Sequence, residues 1–161
     1  MPAMRNVFIS HHHADDKAVS SLVDMVGRNG NNFRNSSIRA KPANQRRLEQ
    51  GLVSDNTIKR LIRMKMSWSS TVIVLIGKNT ASRPWVDWEI DLAHRLGKRI
   101  IGVYEWGGTE NQKPTNLEQY ASAIVNWNAK SLVSAVEGEN IFQTPAGEDR
   151  QPVHVSATSR C

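Results

Sequence analysis

At 161 residues the chain has the length of one compact domain, and its 39% apolar content can furnish a core, while no apolar run approaches the roughly 18 residues a membrane span requires. The single cysteine is Cys161, so no disulfide can form within the chain, and no cationic n-region precedes the first apolar run; the expected setting is the reducing cytoplasm, away from any membrane. The net charge of +6 is uneven, with 12 Lys/Arg against 5 Asp/Glu in residues 1–70 and 9 against 10 thereafter, yet no RRM or zinc-finger motif accompanies the basic stretch, so a nucleic-acid partner is not expected.

The first apolar run, Asn6–Ser10 (NVFIS), reads as a buried parallel strand. Behind it Val19, Leu22, Val23 and Val26 recur at helical spacing, with Asp15 and Asp16 near the start, where the helix dipole favours negative charge. The polar region 29–50 offers one short strand near Ser37–Ala40. A second helix then carries Ile58, Leu61, Ile62 and Trp68 on one side, with Ser54 or Asp55 as its cap. Thr71–Ile76 (TVIVLI) is the next strand. The third helix begins behind Ser82-Arg83-Pro84 and ends at Gly97, with Trp85, Trp88, Leu92, Ala93 and Leu96 as its apolar stripe. Strands at Arg99–Val103 and Ala123–Asn126 follow, separated by a helical piece at Leu117–Tyr120, and a last helix covers about Asn128–Val136. Residues 1–138 form the expected domain; residues 139–161 lack periodicity and read as a tail, docked or loose.

Strict alternation of strand and helix predicts an α/β fold, a flavodoxin-like three-layer sandwich with a central parallel sheet. In the order 2-1-3-4-5 the topological switch lies between the first and third strands, and ligands bind there, beyond the carboxyl ends of the strands. In this chain those ends carry Ser10-His11-His12-His13 and Gly77-Lys78-Asn79-Thr80. Glu89, four residues after Trp85 and three before Leu92, points along the apolar side of the helix behind the second of these loops. A carboxylate so placed is costly unless paired or used; burial raises its pKa and suits acid–base work, while a nearby cation lowers it. The pattern by itself equally fits a Glu at the edge of the stripe that reaches solvent or caps a neighbour.

Four stretches carry a resemblance. Val7-Phe8-Ile9-Ser10-His11-His12 resembles the opening strand and first loop of TIR-like domains, and Ser67-Trp68-Ser69-Ser70-Thr71-Val72-Ile73-Val74-Leu75-Ile76-Gly77 is similar to their third strand. Ser82-Arg83-Pro84-Trp85-Val86-Asp87-Trp88-Glu89-Ile90 resembles the S-x-W-x-x-x-E signature of TIR enzymes that cleave NAD, and Gly97–Val103 fits the strand that follows. The ordered set, over residues 5–136, is closest to the TIR-like protein of Thoeris antiphage systems.

The resemblance implies an enzyme that breaks the nicotinamide–ribose bond of NAD, with Glu89 catalytic, and releases a cyclic ADP-ribose-type signal that reaches a separate effector. NAD is then the substrate and no further cofactor is expected. Phe8, Ser10, His11, Trp85 and Trp88 would line the substrate site, and Arg34 or Arg39 would meet the pyrophosphate. Where many TIR domains have Tyr after the strand serine, this chain has His11.

Two other readings of the same residues are a nucleoside deoxyribosyltransferase-like enzyme and a non-catalytic TIR-like adaptor acting by self-association. Three adjacent histidines in an extended loop point in alternating directions and make a poor metal site, so no metal is expected. The chain also has no G-x-G-x-x-G, no P-loop and no G-x-S-x-G elbow.

Overall fold

The computed structural model describes residues 4–11, 16–28, 32–35, 55–77, 84–106 and 113–149. Its elements are β1 (Met4–Ser10), α1 (Asp16–Arg28), β2 (Asn32–Asn35), α2 (Asp55–Ser67), β3 (Thr71–Ile76), α3 (Pro84–Arg95), β4 (Arg99–Tyr104), α4 (Thr115–Tyr120), β5 (Ala123–Val125) and α5 (Ala129–Val136). The sheet is wholly parallel, in the order β2-β1-β3-β4-β5. This is the doubly wound arrangement expected of alternating strands and helices. None of the described helices is long and apolar enough to cross a membrane.

Strand alternation divides the core in two. Val7, Ile9, Ile73, Leu75, Ile101, Val103 and Val125 pack under α1 and α5, against Leu22, Val26, Leu132 and Ala135. On the opposite face Phe8, Val72, Val74, Ile76, Ile100 and Tyr104 pack under α2, α3 and α4, against Ile62, Met66, Ile90, Ala93 and Leu117. All six residues of β3 are buried, which is why this central strand reads as an unbroken apolar run.

Two expectations are corrected, and a third, the short strand near Ser37–Ala40, lies outside the described residues; the strand that follows α1 among the described residues is Asn32–Asn35. It is held by the register Arg5↔Phe33 and by burial of Phe33 against the α1 layer. On α2 the buried positions are Ile62 and Met66, whereas Leu61 and Trp68 are exposed, at 38% and 59%. On α3 the buried set is Val86, Glu89, Ile90, Leu92 and Ala93; Trp88 is half-buried and Leu96 is exposed. The 85-88-92-96 spacing is as helical as 86-89-90-93, and indoles carry large apolar weight in a pattern, but an indole also sits well on the flank of a helix.

The helix α3 ends as its sequence implies. Gly97 adopts φ +71°, Gly97 N donates to His94 O and Lys98 N donates to Ala93 O, the paired bonds of a glycine-terminated helix.

Residues 139–149 dock on the domain. Ile124 N donates to Ile141 O and Gln143 N to Ile124 O, a single parallel bridge that sets Phe142 beside Ile124 on the edge of β5, and Gln143 turns back to pair antiparallel with Asp149. Arg99 secures the stretch: Nε donates to Ala135 O at 2.8 Å, one terminal nitrogen to Asn140 Oδ1 at 3.0 Å and the other to Glu139 O at 2.5 Å. Arg99→Ala removes all three bonds, while Ala135 O keeps the bond from Gly138 N. The substitution is expected to lower unfolding stability by about 1–3 kcal/mol in urea titration, where a tail independent of the domain would leave the midpoint unchanged.

Candidate functional site

The last residue of β1 is Ser10, on the same face of the strand as Phe8 and therefore under α3. Its hydroxyl donates to Glu89 Oε1 at 2.6 Å, and the two groups come from positions 79 residues apart. Ser10 is 0% exposed and Glu89 2%. The bond has the short O···O distance typical of a hydroxyl on a carboxylate. Local rules put the carboxylate there: Val86, Ile90 and Ala93 require one face of α3 to pack on β1, β3 and β4, and Glu89 shares that face.

The pair lies at the carboxyl edge of the sheet, between β1 and β3, where Ser10 is in register with Val74. That is the topological switch of this strand order. His11, 2% exposed, follows at once; its Nδ1 lies 3.2 Å from Ile9 O. A carbonyl only accepts, so the bond places a proton on Nδ1. Phe8, one step below Ser10 on the same face, is 1% exposed and forms the apolar floor.

Trp88 stands beside Glu89 on the flank of α3 that faces α2. Lys59 Nζ lies 5.3 Å from its ring centroid, a cation–π contact between helices. Trp85 begins α3, and Arg34 lies in β2 opposite Asn6; the side chains of both are outside the described residues, as is the whole of Arg39. Phe8, Ser10, His11 and Glu89 are thus gathered around the end of β1, while Trp88, the residue before Glu89, is turned to the flank that meets α2. Among the described residues no cluster of three or more His, Cys, Asp or Glu could hold a metal ion.

Sequence reasoning missed two features. One is the Lys59–Trp88 contact, made between helices with no local signal. The other lies on the far flank of α3, where Asn116 Nδ2 donates to Asp87 O at 2.9 Å and to Asp91 Oδ1 at 3.1 Å, tying α4 to α3. Asp87 Oδ1 and Asn116 Oδ1 are both buried without a hydrogen-bond partner. Burial, and secondarily the nearby Asp91 charge, raises the Asp87 pKa above the usual carboxyl value.

The family model described as "Thoeris protein ThsB, TIR-like domain" matches residues 8–110, more than half of the chain. "Putative cyclic ADP-D-ribose synthase ThsB1" of Bacillus cereus (strain MSX-D12) is 33% identical over 79 residues. That match takes in 43% of this chain and 41% of the relative, so the chain spans about two fifths of the relative's length. Among solved structures, the CMP N-glycosidase BcmB of Clostridium botulinum aligns with 16% identity and a TM-score of 0.49, over 83% of this chain and 98% of that one. The TIR domains of the activated Roq1 resistosome align with 14% identity and a TM-score of 0.42, over 83% and 72%.

Two outcomes follow from the geometry. Ser10→Ala leaves the buried Glu89 without its hydroxyl donor and is expected to cost about 1–3 kcal/mol in chemical unfolding. Asp87→Asn replaces a buried carboxyl whose Oδ1 has no hydrogen-bond partner by a neutral amide and so removes a poorly solvated charge. A raised folded-state pKa means the folded chain takes up the proton first as pH falls, so the parent loses stability as pH rises through that window. The variant is therefore expected to melt higher than the parent at pH 7, with the gain shrinking as Asp87 becomes protonated in acid; a lower melting temperature at pH 7 would contradict this.

Proposed function

The chain belongs to the TIR-like domain family of the Thoeris protein ThsB, and from that premise we propose that it cleaves the nicotinamide–ribose bond of NAD at Glu89 and releases a cyclic ADP-ribose-type signal. The observation that carries this reading is the buried Ser10–Glu89 pair at the topological switch. The relative's name, a cyclic ADP-D-ribose synthase, supports the same chemistry.

The nicotinamide of NAD already carries positive charge, so it departs with the bonding electron pair and needs no proton. The transition state is a ribosyl oxocarbenium ion, as in glycoside hydrolysis. A carboxylate held beside the anomeric carbon stabilises that cation, and its second oxygen is suited to a ribose hydroxyl. Ser10 holds one oxygen of Glu89, fixing the carboxyl plane so that little reorganisation is needed during the reaction. Phe8 keeps water from the underside of the pair. His11 flanks the space the ribose would occupy.

Two nucleophiles can close the reaction. Water at the anomeric carbon gives ADP-ribose and a proton. A nitrogen of the adenine of the same molecule gives the cyclic product, again with loss of a proton, and this route requires a folded substrate in a site that excludes water. The cyclic route is the one proposed. The diffusible product would then act on a separate effector, in a defence setting, with the cytoplasm as the compartment where NAD is met.

The test is incubation with NAD, with and without lysate from phage-infected cells, and mass spectrometry of the products. Nicotinamide and a cyclic ADP-ribose isomer are expected. Glu89→Gln, nearly the same shape, is expected to retain the fold and to lose at least about a hundredfold in rate, in line with removal of one electrostatic stabiliser. Linear ADP-ribose as the sole product would overturn the cyclic route, and a fully active Glu89→Gln chain would overturn the role of Glu89.

A further inference from the structure

Three large apolar side chains of α2 and its end face solvent: Leu61 at 38% exposure, Met64 at 42% and Trp68, the residue after the helix, at 59%. They stand at i, i+3 and i+7. At the helical turn per residue they fall within an arc of about 60°, on the side opposite Ile62 and Met66, which are buried under the sheet. The row runs about 10 Å along the axis, or two turns. Trp68 is set in place twice over. Its N donates to Lys65 O at 3.3 Å, and Lys65 Nζ lies 5.1 Å from its ring centroid. Single exposed apolar residues are ordinary on a surface, but an aligned row that ends in an indole is a patch.

The border of the row is cationic. Arg60 and Arg63, both exposed, flank it on one side and Lys65 on the other. Neither guanidinium has an ion-pair partner among the described residues. The sequence from 56 to 86 contains no Asp or Glu, so no nearby position of this segment supplies one. We propose that this face of α2 is a docking site for a helix of another protein, one whose apolar stripe is flanked by Asp and Glu. Trp, Met and Arg are the side chains enriched where interfaces are buried, and a carboxylate can take the guanidinium fork of Arg60 or Arg63 through two bonds. A straight row two turns long matches the ridge of a second helix packed 8–10 Å away.

Other occupants fit less well. A second copy presenting the same face would set Arg60 and Arg63 against like charges. The acidic stretch 137–149 of a second copy has four carboxylates and no Lys or Arg, but none of the exposed large apolar side chains lies in it. The two longest stretches outside the described residues, 36–54 and 150–161, carry 4 Lys/Arg against 1 Glu and 2 against none, the same sign as the border. On a lipid surface, three partly exposed side chains offer less apolar area than one myristoyl chain, which itself binds a membrane only marginally.

The test is fluorescence anisotropy of two labelled helical peptides of one design, with Leu at i, i+3 and i+7, flanked in one by Glu and in the other by Lys. They are titrated with the full chain, with Trp68→Ala, with the double variant Arg60→Glu/Arg63→Glu, and with Arg28→Glu, an exposed cation of α1 that controls for net charge. The parent is expected to bind the Glu peptide and to bind the Lys peptide at least about tenfold more weakly. Trp68→Ala and the double variant are expected to lose at least about tenfold for the Glu peptide, the double variant to prefer the Lys peptide instead, and Arg28→Glu to change little. No binding of the Glu peptide by the parent, equal binding of the two peptides, or parental affinity in Trp68→Ala would overturn the proposal. Sedimentation of the chain alone and flotation with phosphatidylglycerol vesicles test the other occupants. Self-association or vesicle binding that is lost in Trp68→Ala would assign this face to a second copy or to lipid, and would equally overturn it.

Discussion

Burial of the Glu89 carboxyl is the constraint on which the rest of the site depends. A carboxylate 2% exposed on an apolar helix face loses most of its hydration, a penalty of several kcal/mol before any partner is found. The 2.6 Å bond from Ser10 recovers part of it. Ser10 can serve only because the parallel register of β1 with β3 sets the end of β1 under α3, and α3 can descend so closely only because Val86, Ile90 and Ala93 bury against the sheet on either side of Glu89. A polar pair at this position therefore relies on much of the α2–α3–α4 core for its geometry, while contributing little to that core in return. Such a bargain is common where a site, not stability, sets the residue.

The same logic explains why the pair sits where it does. In a doubly wound sheet the connections leave the carboxyl edge in opposite directions on either side of the switch, opening a crevice that side chains from β1 and from the helix after β3 both reach. The fold brings together residues far apart in sequence, and the helices supply the charges. Glu89 faces inward from α3; Trp88 faces α2 and receives Lys59. On the opposite flank Asn116 binds Asp87 O and Asp91, so α3 is held from both sides. In the proposed reaction that rigidity serves preorganisation, since a carboxylate that need not move stabilises a developing cation most effectively.

Much of this was legible in the sequence, for reasons that also mark its limits. The strands β3 and β4, and residues 7–10 of β1, are buried on both faces and announce themselves as apolar runs. The placement of Glu89 on a buried face followed from its spacing, and Leu92 and Ala93 of the expected stripe are buried, but Val86 and Ile90 complete that face, whereas Trp88 is half-buried and Leu96 exposed. Two residues, or two faces of one helix, can be equally periodic, and only packing decides between them. The short β2 has a single large apolar residue, Phe33, so its position depends on pairing with β1 rather than on any pattern of its own. Residues 139–149 show no periodicity because they dock through Arg99 and through backbone bonds to β5, which leave no trace in composition. The Lys59–Trp88 contact is of the same kind, a pairing across two helices that neither segment signals alone.

The most direct test of the account is a crystal structure of the Glu89→Gln chain with NAD bound. The account predicts the nicotinamide ribose over the end of β1, its hydroxyls within hydrogen-bond distance of residue 89 and its anomeric carbon beside the same side chain. NAD bound elsewhere on the chain, or in this crevice with its ribose turned away from residue 89, would contradict it.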